Sequence, residues 1–284
     1  MLQVKPIVLV TGASGQLGQE LLRYREDQVA VVGKSRTELD VTDLKRCREV
    51  LADLKPSTVI HAGAYTAVDK AESESDLAYQ VNAVGTRNLA LAAREIGAKL
   101  CYISTDYVFD GMTDIPYNEY DNTNPQSIYG KSKRAGEILV QSLCSSYFIV
   151  RTSWVFGKYG SNFVKTMLKL AQQNDTLKVV HDQIGSPTYT KDLAAFIFQL
   201  IRTENYGIYH ASNSGQCSWF EFAQAIFEER NIQVHVTPCT TEEFPRQAKR
   251  PPFAILDHAA IRQNGFSDLQ NWRTALREFL QEIE

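Results

Sequence analysis

Short runs dominated by β-branched and other apolar residues recur through the first half of the chain, at residues 7–11, 29–32, 58–61, 100–104 and 148–151. Each has the length and character of a buried strand. Between them lie longer stretches with apolar residues at helical spacing, such as Leu17, Leu21 and Leu22, and then Leu77, Val81, Val84 and Leu89. Strand and helix in alternation predict right-handed βαβ units, and therefore an α/β fold with a Rossmann-like, doubly wound parallel sheet. Beyond about residue 156 the alternation fades into irregular segments. The expected division is a dinucleotide-binding domain at 1–156, with a helix at 189–203 returning to it. A smaller C-terminal α/β lobe, mainly substrate-binding, takes up 157–284.

Within that second half, Asn162 precedes an apolar-periodic stretch (Phe163, Met167, Leu168, Leu170) as a helix N-cap would. Ser218-Trp219-Phe220-Glu221 reads as a capping box opening a helix through Arg230, with Trp219 and Phe220 as packing residues. Trp272, Ala275, Leu276, Phe279, Leu280 and Ile283 form the apolar stripe of a last helix that docks on the body.

At 284 residues, with 44% hydrophobic and 22% charged residues, the chain has the composition of a folded globular protein with a sizeable core. A formal charge of −3 leaves no general basic surface, which argues against nucleic acid as a partner and for small molecules. The apolar run at 7–10 is too short for a signal peptide or a membrane span, so a cytoplasmic protein with no membrane contact is expected. Five cysteines, widely spaced and without a C-x-x-C pair, read as reduced packing residues. The five histidines lack ligand spacing, and no metal site is expected.

In a sheet of this kind ligands bind beyond the carboxyl ends of the strands. After the first strand come Gly12, Ser14, Gly15, Gln16, Leu17 and Gly18, with the glycines three apart. One glycine makes the tight turn, one lets backbone approach a pyrophosphate, and one lets helix pack on strand; the pyrophosphate then meets the helix N-terminus. After the second strand, where an NAD-specific protein presents a carboxylate to the ribose 2′-hydroxyl, the chain reads Gly33-Lys34-Ser35-Arg36. Lys34, Ser35 or Arg36 would suit a 2′-phosphate, so NADP(H) is preferred and NAD(H) remains open; the same residues would also serve as a solvated turn. Asp40 and Val41 are placed to flank the adenine.

Tyr129 and Lys133, four residues apart, share one face of a helix that runs to about Cys144. A lysine ammonium near a phenol stabilises the phenolate and lowers its pKa from about 10, which makes the tyrosine a usable general acid for carbonyl reduction. Lys133 would also hold the nicotinamide ribose. Such a pair arises in many ordinary helices as well. It gains meaning from Thr105, at the end of the fourth strand, a hydroxyl placed to hydrogen-bond the substrate oxygen.

Strand-end glycines, a strand-end hydroxyl and a Tyr/Lys pair, in that order, resemble the short-chain dehydrogenase/reductase pattern in its extended branch. The chain is most similar to the dTDP-4-dehydrorhamnose reductase family through residues 61–72, 104–111, 129–133, 151–157, 162–168 and 182–188. The resemblance implies NADPH-dependent reduction of the C4 keto group of dTDP-4-dehydro-6-deoxy-L-mannose to dTDP-L-rhamnose by a monomer or homodimer. It implies that Ala62, Gly63, Ala64 and Tyr65 line the cofactor, that Thr105, Asp106 and Tyr107 meet the sugar, and that Trp154 packs near it. It also places the helix start at Asn162 near the nucleotide diphosphate, where a cap alone is an equal explanation. A basic loop at Arg246, Lys249 and Arg250 is a second candidate for the diphosphate, or an ordinary solvated loop. Tyr107 stands where the related dehydratases carry a glutamate, which disfavours dehydration. Near the loop where some metal-bridged dimers of the family use acidic side chains this sequence offers Lys191, so the metal is not carried over. The competing readings are another nucleotide-sugar 4-keto reductase or epimerase, and a non-catalytic NADP-binding regulatory subunit, against which intact Thr105, Tyr129 and Lys133 argue.

Overall fold

Six parallel strands organise the computed structural model, which describes residues 5–24 and 28–283. They are β1 (Ile7–Thr11), β2 (Ala30–Lys34), β3 (Thr58–His61), β4 (Lys99–Thr105), β5 (Tyr147–Thr152) and β6 (Gly207–His210), in the spatial order β6-β5-β4-β3-β1-β2. The chain passes from β1 to β2 on one side and then crosses to β3 on the other. That reversal opens a crevice between the ends of β1 and β3, the place where such sheets bind ligands.

Alternating side chains put one apolar set on each face. Val8, Val10, Ile60, Phe148 and Val150 pack with Leu17 and Leu21 of the Gln16–Arg23 helix and with Leu193 and Ile197 of the Thr190–Ile201 helix. Leu9, Val59, Leu100, Tyr102 and Ile149 face the Leu44–Leu54, Thr86–Glu95 and Ile128–Leu143 helices. Two segments that the periodicity left in the second lobe also join the sheet: β6 as its edge, and the Ala259–Gln263 helix through Ala260 and Ile261. The second lobe has its own core around Phe156, Val164, Phe222, Ile226, Leu276 and Phe279. There Asn162 accepts from Lys165 N at 3.1 Å, and Ser218 and Glu221 close the capping box that starts the Trp219–Glu229 helix. No helix among the described residues is long and apolar enough to cross a membrane.

Two elements differ from the sequence pattern. The second strand is Ala30–Lys34 rather than 29–32, which draws Gly33 and Lys34 into the sheet. The helix expected through Leu77 and Leu89 is broken by a π-helical turn at Gln80–Gly85. Its extra residue rotates the stripe, so Leu89 is buried while Leu77 and Val84 are exposed.

Candidate functional site

The turns after β1 and β3 touch closely. Gly12 has φ +68°, and a Cβ there would lie 2.5 Å from the Gly63 nitrogen, so this position accepts only glycine. No side chain caps the Gln16–Arg23 helix at Gly15, which leaves its first-turn N–H groups for an anion. These turns form part of a cleft of about 880 Å³. Of the residues singled out in the sequence, Gly12, Ser14, Gly15, Gln16, Leu17, Gly18, Arg36, Asp40, Val41, Ala62, Gly63, Ala64 and Tyr65 line it, as do Thr105, Asp106, Tyr107, Tyr129, Lys133 and Trp154. A glycine cradle that a Cβ would fill, an uncapped helix start and a cation at Arg36 together fit a dinucleotide phosphate chain.

Lys34, Ser35, Asn162 and Arg250 lie outside that lining. Lys34 is held in β2, where its carbonyl accepts from Ala13 N at 3.2 Å. Ser35 gives its N–H and hydroxyl to the Glu38 carboxylate, at 2.8 and 2.6 Å. Arg36 is therefore the one of the three that reaches the cleft. The Asp40 carboxylate accepts from the Thr42 N–H and hydroxyl, which hold its pKa below the usual range. Asn162 caps its helix and donates to Gln16 Oε1 at 3.2 Å, so it touches the glycine turn through a neighbour. Arg250 is paired with Asp69, its Nη1 and Nη2 donating to the two carboxylate oxygens at 2.9 and 3.0 Å.

Ser127 caps the Ile128–Leu143 helix that carries Tyr129 and Lys133 towards the end of β4. There the Thr105 hydroxyl donates to Asp106 Oδ1 at 2.9 Å and accepts from Tyr107 N at 3.2 Å. Asp106 is 2% exposed, its Oδ2 has no partner, and burial pushes its pKa up to about 7. The ring of Tyr107 meets that of Tyr129 edge-on at 5.5 Å. Lys133 donates to the Ile103 carbonyl at 2.7 Å and sits 4.0 Å from the Tyr102 ring centroid.

The electrostatics correct the expectation of a depressed tyrosine. Burial pushes the Tyr129 phenol up to about 12, outweighing the nearby Thr105 hydroxyl, which favours the phenolate. The same desolvation drives Lys133 down to about 7 against the pull of Glu137. A phenol near 12 keeps its proton throughout the neutral range, which is the form a proton donor needs.

Several supporting residues were not singled out in the sequence. Asn82, in the π turn, accepts from Tyr65 N at 2.8 Å and donates to Tyr65 O and Ser132 Oγ, fixing the backbone after β3. Glu137 receives Arg151 in a bidentate pair at 2.9 Å and the Ser104 hydroxyl at 2.6 Å, tying the helix to β4 and β5 beneath the site. Trp219, read as packing, lines the cleft and stacks on Trp154 at 3.5 Å between ring centroids. The π turn is an inserted residue that helical periodicity blurs, and the partners of Glu137 and Trp219 lie far away in sequence. Ser212, His258 and Asp268 follow the bond order of a hydrolytic triad, at 2.9 and 3.4 Å, but Ser212 is 0% exposed and no substrate reaches it.

A family model described as the RmlD substrate binding domain matches residues 6–284. The spore coat polysaccharide biosynthesis protein SpsK of Bacillus subtilis is 47% identical over 97% of this chain and 97% of its own length. The dTDP-4-dehydrorhamnose reductase of Aggregatibacter actinomycetemcomitans is 42% identical over 95% of this chain and 97% of its own. The crystal structure of the Bacillus anthracis dTDP-4-dehydrorhamnose reductase in complex with NADP superposes with a TM-score of 0.97 at 48% identity, covering 98% of this chain and all of that one (100%). With the glycine turn, the strand-end threonine and the Tyr/Lys helix meeting in one cleft, the chain belongs to the RmlD substrate binding domain family, among the dTDP-4-dehydrorhamnose reductases.

Proposed function

We propose that this chain is an NADPH-dependent oxidoreductase that reduces the C4 keto group of dTDP-4-dehydro-6-deoxy-L-mannose, giving dTDP-L-rhamnose. The observation that carries the reading is the meeting of the Tyr129 phenol, the Thr105 hydroxyl and Lys133 in the cleft that also contains the glycine turn. NADPH supplies the hydride. Gly12, Ser14, Gly15, Gln16, Leu17 and Gly18 hold its diphosphate, Arg36 meets the 2′-phosphate, and Asp40 and Val41 flank the adenine. Ala62, Gly63, Ala64 and Tyr65 support the dinucleotide from the side of β3. An exposed arginine at the cleft favours NADP(H) while leaving NAD(H) usable.

Thr105 orients the keto oxygen, and Tyr129 gives that oxygen its proton as the C–H bond forms at C4. Lys133 holds the nicotinamide ribose and lends positive charge to the phenolate that results. The free Asp106 Oδ2 takes a sugar hydroxyl, and Tyr107 and Trp154 wall the ring. The second lobe, mainly 157–284, covers the nucleotide, with Asn162 on the diphosphate side and Arg250, paired with Asp69, steadying the loop beside it. The fitting setting is the cytoplasm, with the chain acting as a monomer or homodimer.

The test is NADPH oxidation by the purified protein with dTDP-6-deoxy-L-lyxo-4-hexulose, beside NADH and a control without sugar. Stoichiometric oxidation with dTDP-L-rhamnose formed is expected; an epimerase would consume no net NADPH. Tyr129→Phe removes the proton donor and should lower kcat by about 10²–10⁴-fold. Turnover near the wild-type level in that variant would overturn the assignment.

A further inference from the structure

Trp154 is one of three non-glycine residues among those described with a positive φ, at +47°. A bulky side chain in the left-handed region is strained, and it stays there only where its surroundings over-determine it. Here they do. The Ser153 hydroxyl donates to Ser186 O at 2.7 Å, and Thr188 N donates to Trp154 O at 3.2 Å. The indole packs against Gly185, where an added Cβ would fall 2.4 Å from its ring. It also stacks on Trp219 with the rings 9° from parallel.

Gly185 and Trp219 are held by one small device. Cys217 and Ser218 pair antiparallel with Gly185 and Ile184. Ser218 then starts the Trp219–Glu229 helix through its capping box, so the residue before Trp219 is fixed on both sides. Phe163 closes on Trp219 at 4.5 Å between centroids. The second lobe thus presents a glycine and an indole to a tryptophan that follows the last residues of β5.

We propose that Trp219 is a positioning residue for the sugar end of the cleft: with Gly185 it clamps the Trp154 indole in its strained pose, and so sets the wall the keto sugar packs against. The inference rests on the proposed reading of the cleft as a nucleotide-sugar site. It makes the second lobe responsible for the shape of a wall whose residue belongs to the first.

The experiment combines a direct probe of the indole pair with kinetics. Stacked indoles give a coupled circular-dichroism band, and the third tryptophan, Trp272, stacks on neither, contacting Phe222 edge-on. The band should be lost in Trp219→Leu and weakened in Gly185→Ala, a readout that needs no substrate; a band unchanged in Gly185→Ala would overturn the clamp. With the keto sugar, Trp219→Leu should raise KM by about tenfold, the scale of a lost aromatic stack, with KM for NADPH moved by less than about twofold. Trp219→Phe should restore most of that loss. In the double variant with Trp154→Phe, the Trp219→Leu effect should vanish, because it acts through Trp154. Additive effects, or an unchanged sugar KM in a folded Trp219→Leu protein, would overturn the proposal. Absence of wild-type turnover, with the band behaving as expected, would instead strike at the substrate reading.

Discussion

Burial pulls three ionisable side chains in the reacting corner towards neutrality: Tyr129 up to about 12, Asp106 up to about 7 and Lys133 down to about 7. None has a full counter-ion beside it; the Lys133 ammonium has a carbonyl and an aromatic face. For Asp106 the consequence for stability has a definite sign. Its folded pKa lies above its ordinary 3.8, so the folded state holds this proton more tightly. The associated stability is full below about pH 4 and is lost as pH rises through 7. Asp106→Asn removes that dependence. The stability of the variant relative to wild type should therefore improve from pH 4 to pH 7, by up to about 4 kcal/mol. Denaturant melts at the two pH values measure it, and a constant difference would show that Asp106 is ionised in the folded protein. The same variant should bind the sugar more weakly at neutral pH, because an amide replaces the free carboxyl oxygen.

Elements explain which parts of the site were legible. A strand buried on both faces announces itself as an apolar run, and in this sheet the residue after the run is by construction at the crevice. Gly12 and Thr105 were therefore legible from local sequence, whereas the segment after His61 was assigned through the family resemblance. Tyr129 and Lys133 followed from helical spacing. Asn82 did not, because its work is done through a π turn whose extra residue is invisible to periodicity and through partners 17 and 50 positions away. Arg36 could not be separated from Lys34 and Ser35, since that choice depends on where β2 ends and on Glu38 occupying Ser35. The direction of the Tyr129 shift was also missed: sequence gives a nearby lysine, whereas the depth of burial that outweighs it is a tertiary property. Asn82→Ala should leave the part-buried Tyr65 N–H without its acceptor, at about 1 kcal/mol of stability. Since Tyr65 lines the cleft, NADPH affinity should fall with it. A thermal melt and a cofactor titration check both, and a melt lowered with affinity untouched would confine Asn82 to a structural part.

At the scale of the whole molecule, one ion pair ties the Arg250 loop to the segment that follows β3. Asp69, in the Val68–Ala71 helix of the first lobe, grips Arg250 through both carboxylate oxygens and accepts from Ala248 N at 3.2 Å. Pro252, two residues on, accepts from Ile184 N, so the Arg250 loop is joined to the strand pair behind Trp154. The neighbours of the pair, Val68 and Tyr107, line the cleft. A bidentate pair between lobes fixes orientation more than it adds stability, since both groups are partly exposed, at 32% for Asp69 and 20% for Arg250. Arg250, first of all the groups around Asp69, holds its carboxyl below the usual range. The latch is therefore intact above the ordinary carboxylate pKa and is lost as pH falls through the lowered one. Asp69→Asn should loosen the loop at any pH. Its expected signature is a several-fold rise in KM for the keto sugar, on the order of the tenfold that 1.4 kcal/mol represents, with KM for NADPH little changed. Arg250→Lys keeps the charge but loses the fork, and should fall between wild type and Asp69→Asn. High salt should narrow the gap between wild type and Asp69→Asn by screening the pair. If Asp69→Asn leaves the sugar KM as it was, the pair does not set the sugar end of the cleft, and Arg250 is free to act on the diphosphate directly.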